Sequence, residues 1–134
     1  MSAVDRMLAQ ARLSLHRVDP TQAKKIYDEG GLLIDIRPEA QRAEFGEVEG
    51  ALVVERNNLE WRLDPHGSHR IPEAADPQRP VVIICQEGYA SSFAAVSLLE
   101  LGRTSVTDLD GGFVAWKQAG LPTLQPCRDR ARRF

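Results

Sequence analysis

Residues 81–92 read VVIICQEGYASS and carry the strongest structural signal in the chain. The four apolar residues predict a buried strand that stops at Cys85, and a short loop containing Gly88 follows. The apolar stretch 93–101 then predicts a buried helix. In an open parallel α/β sheet, a loop between a strand and the next helix lies at the carboxyl edge, where such folds place their sites. The pattern therefore predicts a functional thiol at Cys85.

The composition is typical of a globular protein with a single core. The chain has 134 residues, of which 43% are hydrophobic and 27% charged, and a chain of this length buries roughly two-thirds of its unfolded surface. The net charge of −2 provides no general attraction to nucleic acid or to an anionic membrane. We therefore expect neither nucleic acid nor a membrane as a partner.

The cysteines and histidines argue against a metal site. Cys85 and Cys127 form no CxxC pair and the chain has three histidines, so we expect no metal and no cofactor. His66 and His69 lie three apart in the long connection 55–80, where exposed loop histidines are the simpler interpretation. No apolar run approaches the ~20 residues of a membrane span, and the N-terminus lacks a signal-peptide pattern. We expect a cytoplasmic protein with a free thiol.

Strands and helices alternate on both sides of the Cys85 unit. The further predicted elements are strands 32–36, 51–54 and 105–109 and helices 39–45 and 113–119. Asp19, Pro20 and Gln22 form a helix start with a capping box, and residues 14–18 could form a short strand before it. This alternation predicts an α/β fold with a mainly parallel sheet and helices on both faces.

The chain divides into three expected segments. Residues 1–15 contain an amphipathic helix over 3–15, because apolar residues recur there at spacings of three and four. This helix could pack on the domain or on a second copy, so we expect a monomer or a homodimer. Residues 16–125 form the α/β domain, and residues 126–134 form a basic tail with four arginines that is expected to be solvated.

Asp35 and Arg37 lie near the carboxyl end of the predicted strand 32–36. Residues two apart in an extended chain share one side, so the two side chains can form an ion pair. We expect this pair to shape the rim of the site. Direct participation in the chemistry is the alternative.

A nucleophilic Cys85 must be a thiolate, and the ordinary thiol pKa is about 8.5. Residues 81–92 contain no Lys, Arg or His, and Glu87 opposes ionisation. The backbone N–H groups of residues 86–91 and the start of the next helix are the remaining source of positive potential. Ser91 or Ser92 could donate a hydroxyl to the sulfur or cap the helix, and capping is favoured for at least one of them. The alternative is an inert core cysteine.

Three segments together resemble the rhodanese-like family of the sulfurtransferase superfamily. They are LIDIR at 33–37 with EFGEVEGA at 44–51, CQEGYAS at 85–91, and LDGGFVAW at 109–116 with AGLP at 119–122. The resemblance implies a five-stranded parallel sheet over residues 16–125, preceded by the extra N-terminal helix. It also implies a ping-pong reaction in which Cys85 accepts a sulfane sulfur, becomes a persulfide, and passes the sulfur to cyanide or a thiol. By position, the substrate-binding loop consists of Gln86, Glu87, Gly88, Tyr89, Ala90 and Ser91.

The loop departs from the pattern of thiosulfate-using members, which often carry an arginine or lysine there. Glu87 lowers the affinity for a dianionic donor by on the order of 1 kcal/mol, so a persulfide or a protein partner is as good a candidate donor as thiosulfate. Arginines 56, 62 and 70 could supply the missing cation from the long connection. The loop also lacks the arginine of Cys-x5-Arg phosphatases, because Ser91 occupies that position.

The sequence therefore supports a sulfurtransferase that moves a sulfane sulfur from thiosulfate or a persulfide to a thiol or cyanide through Cys85. Its partner would be a small sulfur-containing substrate or a protein that carries a thiol or persulfide. The alternative is a rhodanese-like binding or regulatory module with little turnover. A further hypothesis is that Cys127 resolves the Cys85 persulfide by forming a disulfide.

Overall fold

The computed structural model describes residues 1–125 as an α/β fold; Cys127 and the predicted basic tail lie outside the described residues. In chain order the helices are α1 (Ala3–Arg12), α2 (Pro20–Asp28), α3 (Glu39–Phe45), α4 (Leu59–Leu63), α5 (Ala90–Glu100) and α6 (Gly112–Gln118). The strands are β1 (Leu32–Asp35), β2 (Glu47–Val48), β3 (Leu52–Val53), β4 (Val81–Ile84), β5 (Val106–Asp108) and β6 (Thr123–Leu124).

The main sheet is parallel, with the strand order β3-β1-β4-β5. It has four strands, so the predicted number of five is wrong. The edge position beside β5 is occupied by a single parallel bridge between Val18 and Leu109. Asp19 caps the next helix through the N–H of Gln22 and Pro20 begins that helix, so the chain leaves the sheet edge immediately after Val18. The candidate strand at 14–18 is therefore reduced to one bridge.

Helices cover both faces of this sheet, as predicted. On one face, α4 and α5 bury residues such as Leu59, Leu63 and Leu98 against the strands. On the other face, α2 and α6 contribute Ala23 and Trp116 to a second apolar cluster. Both faces of the central strands are thus buried, which explains their continuous apolar sequences. Among the described residues, no helix is long and apolar enough to cross a membrane.

Helix α1 ends at Arg12, three residues before the predicted end at 15. Ser2 and Asp5 form a capping box at its start, and none of its residues is buried. Leu15 lies beyond the helix and is part of the core, which accounts for the apolar spacing that suggested a longer helix. The helix packs against α5.

A small antiparallel pair of strands, β2 with β6, was not predicted from the sequence. Glu47 pairs with Leu124 and Val48 with Thr123. Each strand has two residues, and so short a strand has no recognisable periodicity.

The long connection 55–80 is held in place by Arg103, which is 2% exposed. Its Nη1 donates to the carbonyls of Leu63 (3.1 Å) and Ala74 (2.9 Å), and its Nη2 donates to the carbonyl of Asp76 (2.9 Å). Burial lowers the pKa of Arg103 from its ordinary value. Three hydrogen bonds from one buried guanidinium thus tie this segment, which has little regular structure, to a residue shortly after α5.

Candidate active site around Cys85

Cys85 directly follows β4 and is 7% exposed. Its Sγ accepts hydrogen bonds from the N–H groups of Gly88 (3.2 Å) and Ser91 (3.3 Å). Ser91 lies in the first turn of α5, an 11-residue helix, so the sulfur also lies near the positive end of the helix dipole. Two amides and a helix start therefore direct positive potential at the sulfur.

Glycines allow the loop to curl around the sulfur and to pack closely against α6. Gly88 has φ +91°, and a Cβ there would lie 2.7 Å from the backbone nitrogen of Gly111. A Cβ on Gly112 would lie 2.4 Å from the carbonyl oxygen of Cys85. This close approach lets the Phe113 N–H donate to that carbonyl at 2.9 Å. The glycine pair therefore sets the position of the loop relative to α6.

The hydroxyls of Ser91 and Ser92 have a role that the sequence did not predict. Both donate to Oδ2 of Asp108, at 2.7 and 2.8 Å, and Asp108 is fully buried. Neither serine caps α5, whose N-cap position is Tyr89 without a side-chain hydrogen bond. The expected capping is wrong because Ser91 and Ser92 lie inside the first turn of α5 rather than at its N-cap, and their hydroxyls are engaged by the buried carboxylate.

Two arginines from the N-terminal part of the chain contact the back of the loop. Arg17 donates to Oδ1 of Asp108 through Nε (3.0 Å) and to the carbonyl of Gly88 through Nη2 (2.7 Å). Arg12 donates to the same carbonyl through Nη2 (2.9 Å) and to Oγ of Ser92 through Nε (3.1 Å). Neither arginine was predicted from the sequence, because contacts spanning 70 or more positions leave no local pattern.

Asp35 and Arg37 form the predicted ion pair, with 2.8 Å between Nη2 and Oδ2 and both residues 1% exposed. Arg37 also donates to Oε1 of Gln86 (3.0 Å) and to the carbonyl of Gly46 (2.8 Å). Its guanidinium lies 4.2 Å from the ring centroid of Phe113. The pair thus lies beneath the loop and contacts it through Gln86.

A cavity of about 310 Å³ opens at Cys85. Its lining includes Arg37, Arg56, Glu87 and Tyr89. The last three of these residues are exposed, and Arg56 comes from the turn after β3. An anionic substrate that entered this cavity would therefore meet both positive and negative charge.

Of the three arginines considered in the long connection, Arg56 is the one that lines the cavity. Arg62 and Arg70 instead donate to the carbonyls of His69 and Gly67. Arg56 is held by the carboxylate of Glu60 at 2.9 Å. Burial alone would raise the pKa of Glu60, but hydrogen bonds from Ser97 and Arg56 and the charge of Arg56 hold it below the ordinary value. Arg56 therefore stays next to a carboxylate that is charged at neutral pH.

Metal binding is not suggested by the arrangement of side chains. Within residues 1–125 no group of three or more His, Cys, Asp or Glu side chains lies close enough together to hold a metal ion. His66 and His69 lie within these residues and are not part of any such group.

Comparisons with known proteins identify the family of the chain. A family model described as "Rhodanese-like domain" matches residues 19–119. Thiosulfate sulfurtransferase GlpE of Pseudomonas fluorescens (strain Pf0-1) is 32% identical over 101 residues, which cover 75% of this chain and 84% of the relative.

Solved structures have the same fold. A Rhodopseudomonas palustris protein of unknown function, described as a possible tyrosine phosphatase, has a TM-score of 0.81 at 26% identity and covers 92% of this chain and 95% of its own. The polysulfide-sulfur transferase homodimer of Wolinella succinogenes has a TM-score of 0.73 at 25% identity. The match covers 94% of this chain and 90% of the Wolinella chain. The chain therefore belongs to the rhodanese-like domain family.

Proposed function

We propose that this protein is a sulfurtransferase that carries a sulfane sulfur on Cys85. The observation that carries the proposal is the pair of N–H groups, from Gly88 and Ser91, that converge on Sγ at the edge of an open cavity. The names of the GlpE relatives and of the polysulfide-sulfur transferase support sulfur transfer at the level of the family. The donor is thiosulfate or a persulfide, and the acceptor is a thiol or cyanide.

The reaction has two displacement steps. In the first, the Cys85 thiolate attacks the outer sulfur of the donor, the new Sγ–S bond forms, and sulfite or a thiolate leaves with the electron pair of the broken bond. In the second, a thiolate or cyanide attacks the outer sulfur of the Cys85 persulfide and releases the Cys85 thiolate. The Cys85 thiolate and the Cys85 persulfide each carry one negative charge. The N–H groups of the loop can therefore stabilise both states of the protein.

The charges around the cavity favour donors with less charge than thiosulfate. Arg37 is engaged by Asp35, so Arg56 is the arginine best placed to meet an anion. Glu87, on the loop, repels an incoming anion, and Glu60 already neutralises much of the charge of Arg56. A persulfide, with a single charge, therefore suits this cavity at least as well as dianionic thiosulfate.

Phosphatase activity is not proposed, although one solved structure of this fold is described as a possible tyrosine phosphatase. A Cys-x5-Arg phosphatase uses its arginine to hold two phosphate oxygens. The corresponding residue here is Ser91, whose hydroxyl is engaged by Asp108.

We expect Cys85 to gain one sulfur atom when the protein is incubated with thiosulfate or glutathione persulfide; mercaptopyruvate, whose sulfur would transfer with pyruvate enolate as the leaving group, is the third donor tested. Intact mass spectrometry followed by peptide mapping measures the gain and its position. The Cys127→Ser variant should gain the same sulfur, because the reaction needs one thiol. If none of the three donors adds sulfur to Cys85, the enzyme proposal fails and the binding or regulatory module becomes the better interpretation.

Replacing Arg56 with glutamine should raise the KM for thiosulfate about tenfold and change the KM for glutathione persulfide less, because thiosulfate brings two charges into the cavity with its reacting sulfur whereas the persulfide group brings one. Arg62→Gln is the matched control, since Arg62 belongs to the next helix and donates to a backbone carbonyl. Steady-state kinetics with both donors measures the difference. Equal changes for the two donors would show that Arg56 does not select on charge.

A further inference from the structure

We propose that Arg12 and Arg17 are positioning residues for the loop of residues 86–91 that curls around the sulfur of Cys85, here called the sulfur-binding loop. The proposal rests on the proposed function for its catalytic meaning, and on the contacts of the loop for its geometry. The family model starts at residue 19, so both arginines lie in the N-terminal part of the chain that the family match does not include. The N-terminal helix is then part of the active site rather than an added element.

The two guanidinium groups meet at one backbone oxygen. Arg12 and Arg17 donate to the carbonyl of Gly88 at 2.9 and 2.7 Å. The N–H of the same glycine donates to Sγ of Cys85. Gly88 has φ +91° and, having no side chain, can easily change its backbone conformation. Two charge-assisted hydrogen bonds therefore fix the residue whose freedom would otherwise let its amide turn away from the sulfur.

The orientation of the next peptide group follows from the same contact. The chain has no cis peptide bonds among its described residues, and in a trans peptide the C=O and N–H point in opposite directions. The N–H of Tyr89 therefore points away from the two arginines. Within residues 1–125 this N–H has no hydrogen-bond partner, so it is available to an anion on the other side of the loop.

Arg12 also supplies charge. Arg17 is neutralised by Asp108 and Asp110, whereas Arg12 makes no ion pair with any residue that the structure describes. Its contacts are the Gly88 carbonyl, the Ser92 hydroxyl and the ring of Tyr89, 5.8 Å from the guanidinium carbon. Arg12 thus places an uncompensated positive charge against a loop that contains Glu87 and lacks any basic residue. Through its hydrogen bond to the Gly88 carbonyl, this charge polarises the peptide group whose N–H belongs to Tyr89 and faces the other side of the loop.

The variants Arg12→Met and Arg12→Lys test the proposal, with Arg6→Met as the matched control. Arg6 lies on the same helix and donates to the Met1 carbonyl. Methionine removes both the charge and the planar fork of donors, whereas lysine keeps the charge and can donate but lacks the fork that reaches Gly88 and Ser92 together. Arg17→Lys is a second variant, which keeps a cation beside the buried Asp108.

Two rates are measured at neutral pH: alkylation of Cys85 by iodoacetamide and kcat for sulfur transfer. We expect Arg12→Met to lower both on the order of tenfold with KM changed less than twofold. Arg12→Lys should recover part of the loss, Arg17→Lys should lower both rates in the same direction, and Arg6→Met should match the parent protein. Alkylation needs no sulfur donor, so it tests the positioning role even if the protein fails to form a persulfide.

Three results would overturn the proposal. One is an alkylation rate of Arg12→Met within twofold of the parent. The second is an equal loss in Arg6→Met, and the third is a lower melting temperature without a change of either rate. The last result would assign Arg12 a purely structural role.

Discussion

Replacing Cys85 with serine should reduce sulfur transfer by at least about a thousandfold while the protein stays folded. A serine hydroxyl does not ionise at neutral pH, and it cannot form the Sγ–S bond that holds the sulfur between the two steps. Losses of this size or larger are measured when the nucleophile of a covalent mechanism is removed. The initial rate of thiocyanate formation from thiosulfate and cyanide measures the effect.

The stability of this variant provides the necessary control. A serine oxygen can accept the N–H groups of Gly88 and Ser91 that now reach the sulfur, so we expect the free energy of unfolding to change by about 1 kcal/mol or less. Cys127→Ser should retain the parent rate. A Cys85→Ser protein that is folded and keeps more than a few per cent of the parent rate would contradict a persulfide mechanism.

Replacing Arg37 with methionine should destabilise the protein by about 3–5 kcal/mol, because it leaves the buried carboxylate of Asp35 without its partner. Asp35 accepts hydrogen bonds from the Arg37 side chain at Nε and Nη2 and from the Arg37 backbone N–H. In the variant only the last of these remains. Urea unfolding followed by circular dichroism measures the difference.

A double variant makes this prediction specific to the unpaired charge. Asp35→Asn combined with Arg37→Met removes both charges, so we expect it to be more stable than Arg37→Met alone. Lys24→Met is the surface control, since Lys24 and Asp28 form an exposed i,i+4 pair that contributes about 0.5 kcal/mol or less. Asp35→Asn is also measured alone. If the double variant is as unstable as the sum of Arg37→Met and Asp35→Asn, the loss of stability comes from lost packing rather than from the unpaired charge.

The Arg37→Met substitution should also loosen the sulfur-binding loop. Arg37 holds Oε1 of Gln86, the first residue after Cys85, so the active site and the buried ion pair share one side chain. The expected loss of stability and of activity in Arg37→Met therefore have a common physical origin. This is the site-shaping role expected of Asp35 and Arg37, and it remains a prediction until the variants are measured.

The sequence alone determined the parallel strands, most of the helices and their order along the chain. Strand β4, the loop from Gln86, and helix α5 follow from an apolar run, a glycine and a second apolar run. The capping box of Asp19 and Gln22 predicted the start of α2 correctly, and helix α3 has the predicted bounds. These signals act between neighbours in the chain, so residue types and spacings carry them completely. The family resemblance rests on the same short segments.

Tertiary structure decided which side chains surround the loop and where the sheet ends. Arg12 and Arg17 reach Gly88, and the hydroxyls of Ser91 and Ser92 reach Asp108, across sequence separations that no periodicity records. Whether Val18 extends a fifth strand depends on how soon the next helix begins. The reason is common to all three cases: a hydrogen bond between distant residues depends on the packing of whole elements. That packing brings cations to a loop that has no basic residue of its own: Arg37 contacts Gln86, and Arg12 and Arg17 contact Gly88.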